Sequence, residues 1–465
     1  MLFNSFEFLL FFLPITLLVY FTLTNFSFHI IARYVLLAAS LIFYSWWNPM
    51  YLPFIVASVV FNYFVGKKLN EINSQPSRKR LLIFGVTANL ALLGYFKYAN
   101  FFLENINLLT GLDISTFHVI LPLAISFFTF QQIAYLADSY KQNTKDYDLF
   151  NYSLFVTFFP HLIAGPLVNH KDILPQFKSH ENYKFNHFNF SKGLYIFFMG
   201  LGKKVIIADT FAVLANAGYA NTAQLTFADS WITSLAYAFQ LYFDFSGYSD
   251  MAIGIGLLFN ITLAVNFNSP YKSINIQDFW RRWHITLSSF LRDYVYIPLG
   301  GSRAGEFLTL RNLMITFVLG GIWHGAGWTF VFWGFMHGFG LIIHRLWSKT
   351  SINIPNWLGW FITFNYVNIA WVFFRASSWS DAINLLKGML GLRGIEPVNI
   401  TVLTDPMLIP LLLVGVLLLL WKNPPQLASE FRTDKKHLAY LVGLTIIGLL
   451  FMNSITANDF LYFDF

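Results

Sequence analysis

The feature that most constrains this chain is a succession of apolar stretches. Each is close to the roughly 20 residues that a helix rising 1.5 Å per residue needs to cross a bilayer. They fall at 6–24, 31–47, 51–66, 81–99, 118–137, 191–215, 231–259, 308–325, 327–347, 357–375, 406–421 and 438–456. Only 11% of the residues are charged and 56% are hydrophobic, whereas soluble domains carry about 25% charged residues. In hydrocarbon every backbone polar group must be satisfied within the segment, so stretches of this length fold as helices. The pattern predicts an all-α polytopic membrane protein with about 11–12 transmembrane helices.

Two regions break the pattern. The segment 150–166 is apolar but short, and it ends in Ala164-Gly165-Pro166. It reads as a re-entrant or broken helix, which is tolerated only inside protein. The segment 274–300 is amphipathic and reads as helix lying at the interface or dipping into a cavity. No internal repeat or low-complexity tract is present. The expected organisation is one integral-membrane domain over 1–455 and an aromatic tail over 456–465.

Charge sets the expected orientation. The loop 67–80 holds Lys67, Lys68, Arg78, Lys79 and Arg80 against Glu71, so it is expected on the cytoplasmic side. Three spans precede it, which places the N-terminus outside. Lys422, Arg432, Lys435 and Lys436 put 422–437 inside as well, so the last helix runs outward and the C-terminus is extracytoplasmic. The net charge of +7 resides in such loops and forms no basic stripe, which argues against nucleic-acid binding. There is no cysteine, which excludes disulfides, S-acylation and a thiol nucleophile. The first apolar stretch reads as a spanning helix rather than a cleavable signal.

Ionisable groups inside such stretches are costly and face a cavity, a pathway or a partner. His324 lies in Gly320-Gly321-Ile322-Trp323-His324-Gly325-Ala326-Gly327-Trp328. Imidazole titrates near neutrality, so it is a candidate general base; the plainer reading is a histidine hydrogen-bonded between packed helices. His337 follows 13 residues later, about 220° further round a straight helix. The two rings would point apart unless the glycines break the helix, and His337 reads as a supporting or packing residue. His284 follows Phe279-Trp280-Arg281-Arg282-Trp283. Arg281 and Arg282 suit bidentate binding of phosphate or carboxylate, or equally a basic helix snorkelling into headgroups.

Asp244 and Asp250 put two carboxylates in apolar surroundings. They call for a wet cavity or a cationic partner, with Arg281 or Arg282 as the expected candidate, and a structural ion pair is as good a reading as a catalytic one. No metal motif is present, nor a nucleophile elbow, a phosphate-binding glycine loop or a dinucleotide fingerprint. The tail Phe460-Leu461-Tyr462-Phe463-Asp464-Phe465 is too aromatic for a solvated end. It reads either as an interfacial anchor or as a plug entering the protein's own cavity and offering the Tyr462 hydroxyl.

Several blocks together resemble the membrane-bound O-acyltransferase superfamily, most closely its bacterial alginate and peptidoglycan O-acetyltransferase branch. They are Tyr242 to Gly254, Asn266 to Tyr271 running into Phe279 to His284 and Leu291 to Tyr294, Gly321 to Ala326, and Phe158 to Pro166, the last with His161 where Gln is expected. The resemblance implies that His324 is the active-site histidine and that His284 occupies a second position. Trp283 and Trp323 beside them, with Arg281 and Arg282, would line the substrate. Re-entrant and interfacial helices around a central tunnel are implied too. The tail resembles the aromatic ending of bacterial polymer-acylation systems, where the tyrosine is an acyl relay.

The expectation is then a bacterial inner-membrane O-acetyltransferase with no bound cofactor. Acetyl-CoA or another cytoplasmic thioester donates an acetyl group. Tyr462 relays it outward to an extracytoplasmic SGNH-type transferase, which acetylates an envelope polysaccharide. His324 would act as base, His284 would hydrogen-bond the carbonyl or orient the donor, and His337, Asp244 and Asp250 would support them. The rival readings are a transporter or flippase, and a lipid or D-alanyl O-acyltransferase of the same superfamily. A flippase predicts inverted-repeat symmetry, which the sequence lacks.

Overall fold

A computed structural model describes residues 1–117, 121–144, 147–303, 305–395, 408–420, 422–454 and 460–461. The described chain is helical throughout and has no strand. It forms two compact units, Met1–Leu194 with Ala252–Ala264, and Tyr195–Met251 with Val265–Phe465.

The first unit begins with a helical hairpin. Leu13–Asn25 and His29–Ser45 are joined by a turn in which Ser27 takes φ 65°, a left-handed conformation more often filled by glycine. Leu52–Glu71 and Gln75–Leu93 follow, and the second continues without interruption to Thr110. Amide side chains tie these helices together. Asn62 Nδ2 donates to Asn89 Oδ1 at 3.0 Å and Asn89 Nδ2 to Asn62 Oδ1 at 2.7 Å, while Gln132 Nε2, on the later helix Ile125–Tyr140, reaches Ser58 Oγ at 3.0 Å. Lipid tails are as apolar as leucine, so such bonds and close packing, not hydrophobicity, pair helices in a membrane.

The segment 150–166 is a broken helix, as its sequence predicts. Leu149–Thr157 stops at Phe158, and a single turn Phe159–Leu162 follows. Every residue from 154 to 168 is buried, which is the condition for irregular backbone at membrane depth. A Cβ on Gly165 would lie 2.5 Å from His161 Cα, so only glycine closes this turn.

The second unit is built around Phe227–Leu258, a helix of 32 residues. Asn356–Arg375 and Trp379–Met389 pack on it, through Phe364 on Phe239 and Gly388 beside Ser230, and the hairpin Glu306–His324 and Trp328–Trp347 belongs to the same unit. Leu408–Leu420 and Lys435–Ser454 complete the long elements. The amphipathic segment forms two short helices, Ile276–Arg282 and Ile285–Leu291.

Among the described residues, six helices are long and apolar enough to cross a membrane: Glu7–Asn25, Pro49–Glu71, Gln75–Thr110, Glu306–His324, Asn356–Arg375 and Lys435–Met452. The chain is thus an all-α polytopic membrane protein. The sequence pattern predicts 11–12 spans; of the other stretches, 31–47 forms the shorter apolar helix His29–Ser45 of 17 residues, and 406–421 lies only partly within the described residues.

Candidate active site

The Gly-Trp-His stretch ends a helix. Glu306–His324 stops at Gly325, whose backbone is extended, and Trp328 starts the return helix. The hairpin is unusually close. A Cβ on Gly321 would meet Phe330 O at 2.3 Å, and one on Gly334 would meet Phe317 O at 2.4 Å. Any larger residue there forces the helices apart.

The break answers the question of helical phase. His324 and His337 stand on different helices, and the buried Trp333 contacts both, with ring centroids at 5.0 Å from His324 and 4.6 Å from His337. Trp323 and Phe374 pack against His324 at 4.9 and 5.1 Å. Trp280 Nε1 donates to His337 Nδ1 at 3.2 Å. An indole N–H can only donate, so neutral His337 carries its proton on Nε2.

His284 sits between the two short helices with φ 42°, a left-handed conformation that a non-glycine residue adopts only under constraint. Asn266 supplies the constraint. Its Oδ1 accepts from Thr286 N at 3.2 Å and Thr286 Oγ1 at 2.9 Å, and lies 3.1 Å from His284 Nδ1. The Thr286 backbone N–H can only donate, so Oδ1 is an acceptor and His284 Nδ1 carries the proton. Neutral His284 therefore presents Nε2 as a lone-pair nitrogen. In this tautomer it accepts a hydrogen bond, and donation to a carbonyl requires a protonated ring. Burial pushes the His284 imidazole down to about 3, which keeps it neutral at pH 7.

One indole links the two histidines: Trp323 packs on His324 and lies 6.5 Å from the His284 ring. Trp283 is stacked on Phe279 at 5.7 Å and packed on Trp371 at 5.0 Å. His284, His324, His337, Trp283 and Trp323 are all buried.

The arginines lie elsewhere. Arg281 is exposed, and Arg282 Nε is bound to Asp278 Oδ1 at 2.8 Å. Neither pairs with the aspartates, whose cations are two lysines from the preceding segment. Lys203 Nζ is 2.8 Å from Asp250 Oδ2, and Lys204 Nζ lies 2.6 Å from Asp209 Oδ1 and 2.9 Å from Asp244 Oδ1. Lysine wins by position: Lys204, Asp209 and Asp244 are all within 4% of full burial at the side chain, and breaking such a pair costs about 3–5 kcal/mol. The sequence signal was two adjacent lysines in an otherwise apolar stretch.

Asp244 has a second role. Its Oδ2 accepts from the backbone N–H of Leu461 at 3.0 Å. Phe460 stacks on Tyr248 at 4.5 Å and lies 6.0 Å from Phe245, whose ring is 4.7 Å from His284. Phe460 and Leu461 are buried, which favours the plug over the interfacial anchor for this part of the tail. Tyr462 lies outside the described residues. Asn266, Lys203, Lys204 and Asp209 were not singled out from the sequence as site residues.

Buried imidazoles beside a tail that enters the same unit fit acyl transfer. The sequence model of the MBOAT, membrane-bound O-acyltransferase, family matches residues 20–378. The chain belongs to this family. Its relatives include the peptidoglycan O-acetyltransferase of Helicobacter pylori, 46% identical over all of this chain and 98% of that protein. The probable alginate O-acetylase AlgI of Pseudomonas aeruginosa is 44% identical over 84% of this chain and 75% of its own length. A teichoic acid D-alanyltransferase of Streptococcus thermophilus is 27% identical over 54% of this chain. This family member is a multi-pass membrane acyltransferase of the O-acetyltransferase branch.

Proposed function

We propose that this protein takes an acetyl group from a cytoplasmic thioester, most simply acetyl-CoA, and delivers it across a bacterial inner membrane for O-acetylation of an envelope polysaccharide. The observation that supports this reading best is one chain of ring contacts. It runs from His324 through Trp323 to His284, and from His284 through Phe245 to the buried Phe460. Tyr462 follows two residues later in the sequence.

In this reading the Tyr462 phenol attacks the thioester carbonyl. His324 takes the phenol proton as the new C–O bond forms and the C–S bond breaks, and then returns the proton to the departing thiolate. Such base catalysis contributes about 10²–10⁴-fold. His284, held with Nε2 as acceptor, orients the attacking hydroxyl. Arg281, exposed beside the short helices, is available to phosphates of the donor, and Arg282 keeps its helix in place through Asp278. A phenyl ester remains more activated than an alkyl ester, so onward transfer to a sugar hydroxyl through an SGNH-type partner outside the membrane is downhill.

The test is polymer acetylation in cells carrying single variants at equal membrane levels. His324→Ala is expected to lower it by about 10²-fold or more, and Tyr462→Phe is expected to abolish it. Wild-type acetylation by the Tyr462→Phe variant would remove the relay. Wild-type acetylation by His324→Ala would remove the proposed base.

A further inference from the structure

The first unit contains a cleft of about 780 Å³ whose lining includes His29, Arg33, Lys178, His180 and Tyr183 and no carboxylate. It lies at the end of the hairpin formed by Leu13–Asn25 and His29–Ser45 and shares no residue with the candidate acyl-transfer site.

Four features make it a site for a phosphate. First, the helix His29–Ser45 begins with no side-chain cap. Its first bond at that end runs from Ala32 N to Phe28 O, so the amides of residues 29–31, which line the cleft, are outside the helical ladder. Such a start carries partial positive charge and binds anions. Second, Arg33 is one turn along the same helix. Its Nη1 donates to Asn151 Oδ1 at 3.1 Å, a neutral acceptor, and its Nε is buried without a hydrogen-bond partner among the described residues. Third, His29 is held in place, stacked on Tyr183 at 4.4 Å with 11° between the rings, and its buried Nδ1 likewise has no partner among the described residues. Fourth, neither Lys178 nor His180 is in an ion pair among the described residues. Cationic and amide donors from three segments therefore converge on a cleft whose own lining holds no carboxylate; Asp148 is bonded to Asn151 behind it, and the Arg33 guanidinium lies 5.5 Å over the Phe150 ring.

The rim identifies the source of the phosphate. Phe28, Ile30 and Ile31 line the same cleft and are 54%, 62% and 49% exposed. Apolar side chains around a basic pocket at the end of a membrane hairpin suit a molecule with a charged head and apolar tails.

We propose that this cleft binds the phosphodiester headgroup of an anionic glycerophospholipid. The helix start and Arg33 receive the phosphate oxygens, Lys178 and His180 close over the headgroup, and the apolar rim meets the acyl chains. Bound there, the lipid fixes the hairpin turn at Ser27 against the helix that carries Lys178.

The experiment is native mass spectrometry of the purified full-length protein titrated with phosphatidylglycerol or phosphatidylcholine. Phosphatidylglycerol is expected to bind more tightly than phosphatidylcholine. Lys178→Gln, an exposed position with no structural bond to lose, is expected to weaken it about fivefold, and Arg33→Gln by at least as much; Lys178→Arg is expected to match the wild type. Equal retention of the two lipids by the wild type, or wild-type retention of phosphatidylglycerol by Lys178→Gln, overturns the proposal. So does displacement of the lipid by inorganic phosphate at comparable concentration, which would identify a soluble phosphate as the ligand. If Arg33→Gln does not fold, Lys178→Gln decides alone.

Discussion

At the scale of single residues, the state of His284 is set by a neighbour rather than by its own sequence context. Asn266 accepts from a backbone N–H and a hydroxyl of Thr286, and thereby obliges His284 Nδ1 to be the protonated nitrogen. Asn266→Ala removes that acceptor while leaving His284 in the chain. Acetyl transfer from labelled donor in membranes is expected to fall by about 10²-fold, with the protein still inserted and folded. Wild-type turnover in this variant would mean that the tautomer has no part in catalysis. The residue-level chemistry was only partly legible beforehand. His324, His284, Trp283 and Trp323 stood out because polar groups among apolar residues are conspicuous, and the structure gathers them. The partner of the aspartates did not stand out, because a lysine pair 40 residues upstream is joined to Asp244 and Asp250 by helix packing and by nothing local.

At the scale of elements, the site depends on a hairpin whose helices touch backbone to backbone. Gly321 and Gly334 leave room for Trp333 to reach both His324 and His337. Gly334→Ala places a Cβ against Phe317 O and Gly321 Cα. It is expected to destabilise the protein by about 1–3 kcal/mol, read as a lower midpoint of thermal unfolding in detergent together with lower activity. An unchanged midpoint would show that the hairpin has slack. The glycines were visible in the sequence, and so was the broken helix at 150–166. The division into 308–325 and 327–347 already places the break, and the helices do end at His324 and restart at Trp328; what the pattern could not supply was how closely the two helices touch. The amphipathic Trp379–Met389 was missed, being too short and too polar to register as a span.

At the scale of the whole molecule, membrane insertion was the easiest property to read and orientation the hardest to prove. The basic loop 67–80 predicts its own cytoplasmic placement. Because the chain has no cysteine, a single engineered thiol reports topology cleanly. Ser74→Cys, at an exposed position that makes no capping bond, is expected to react with an impermeant maleimide only after the membrane is opened. Labelling in intact spheroplasts would invert the assignment and place the N-terminus inside. The larger claim is that the acetyl group becomes covalently attached to the chain on its way across. Peptide mass mapping of protein incubated with isotopically labelled acetyl-CoA tests this directly. The account predicts one labelled acetyl group on the C-terminal peptide containing Tyr462 in the wild type, and none in His324→Ala. An active wild-type protein whose terminal peptide stays unlabelled, or an equal label in His324→Ala, would contradict it.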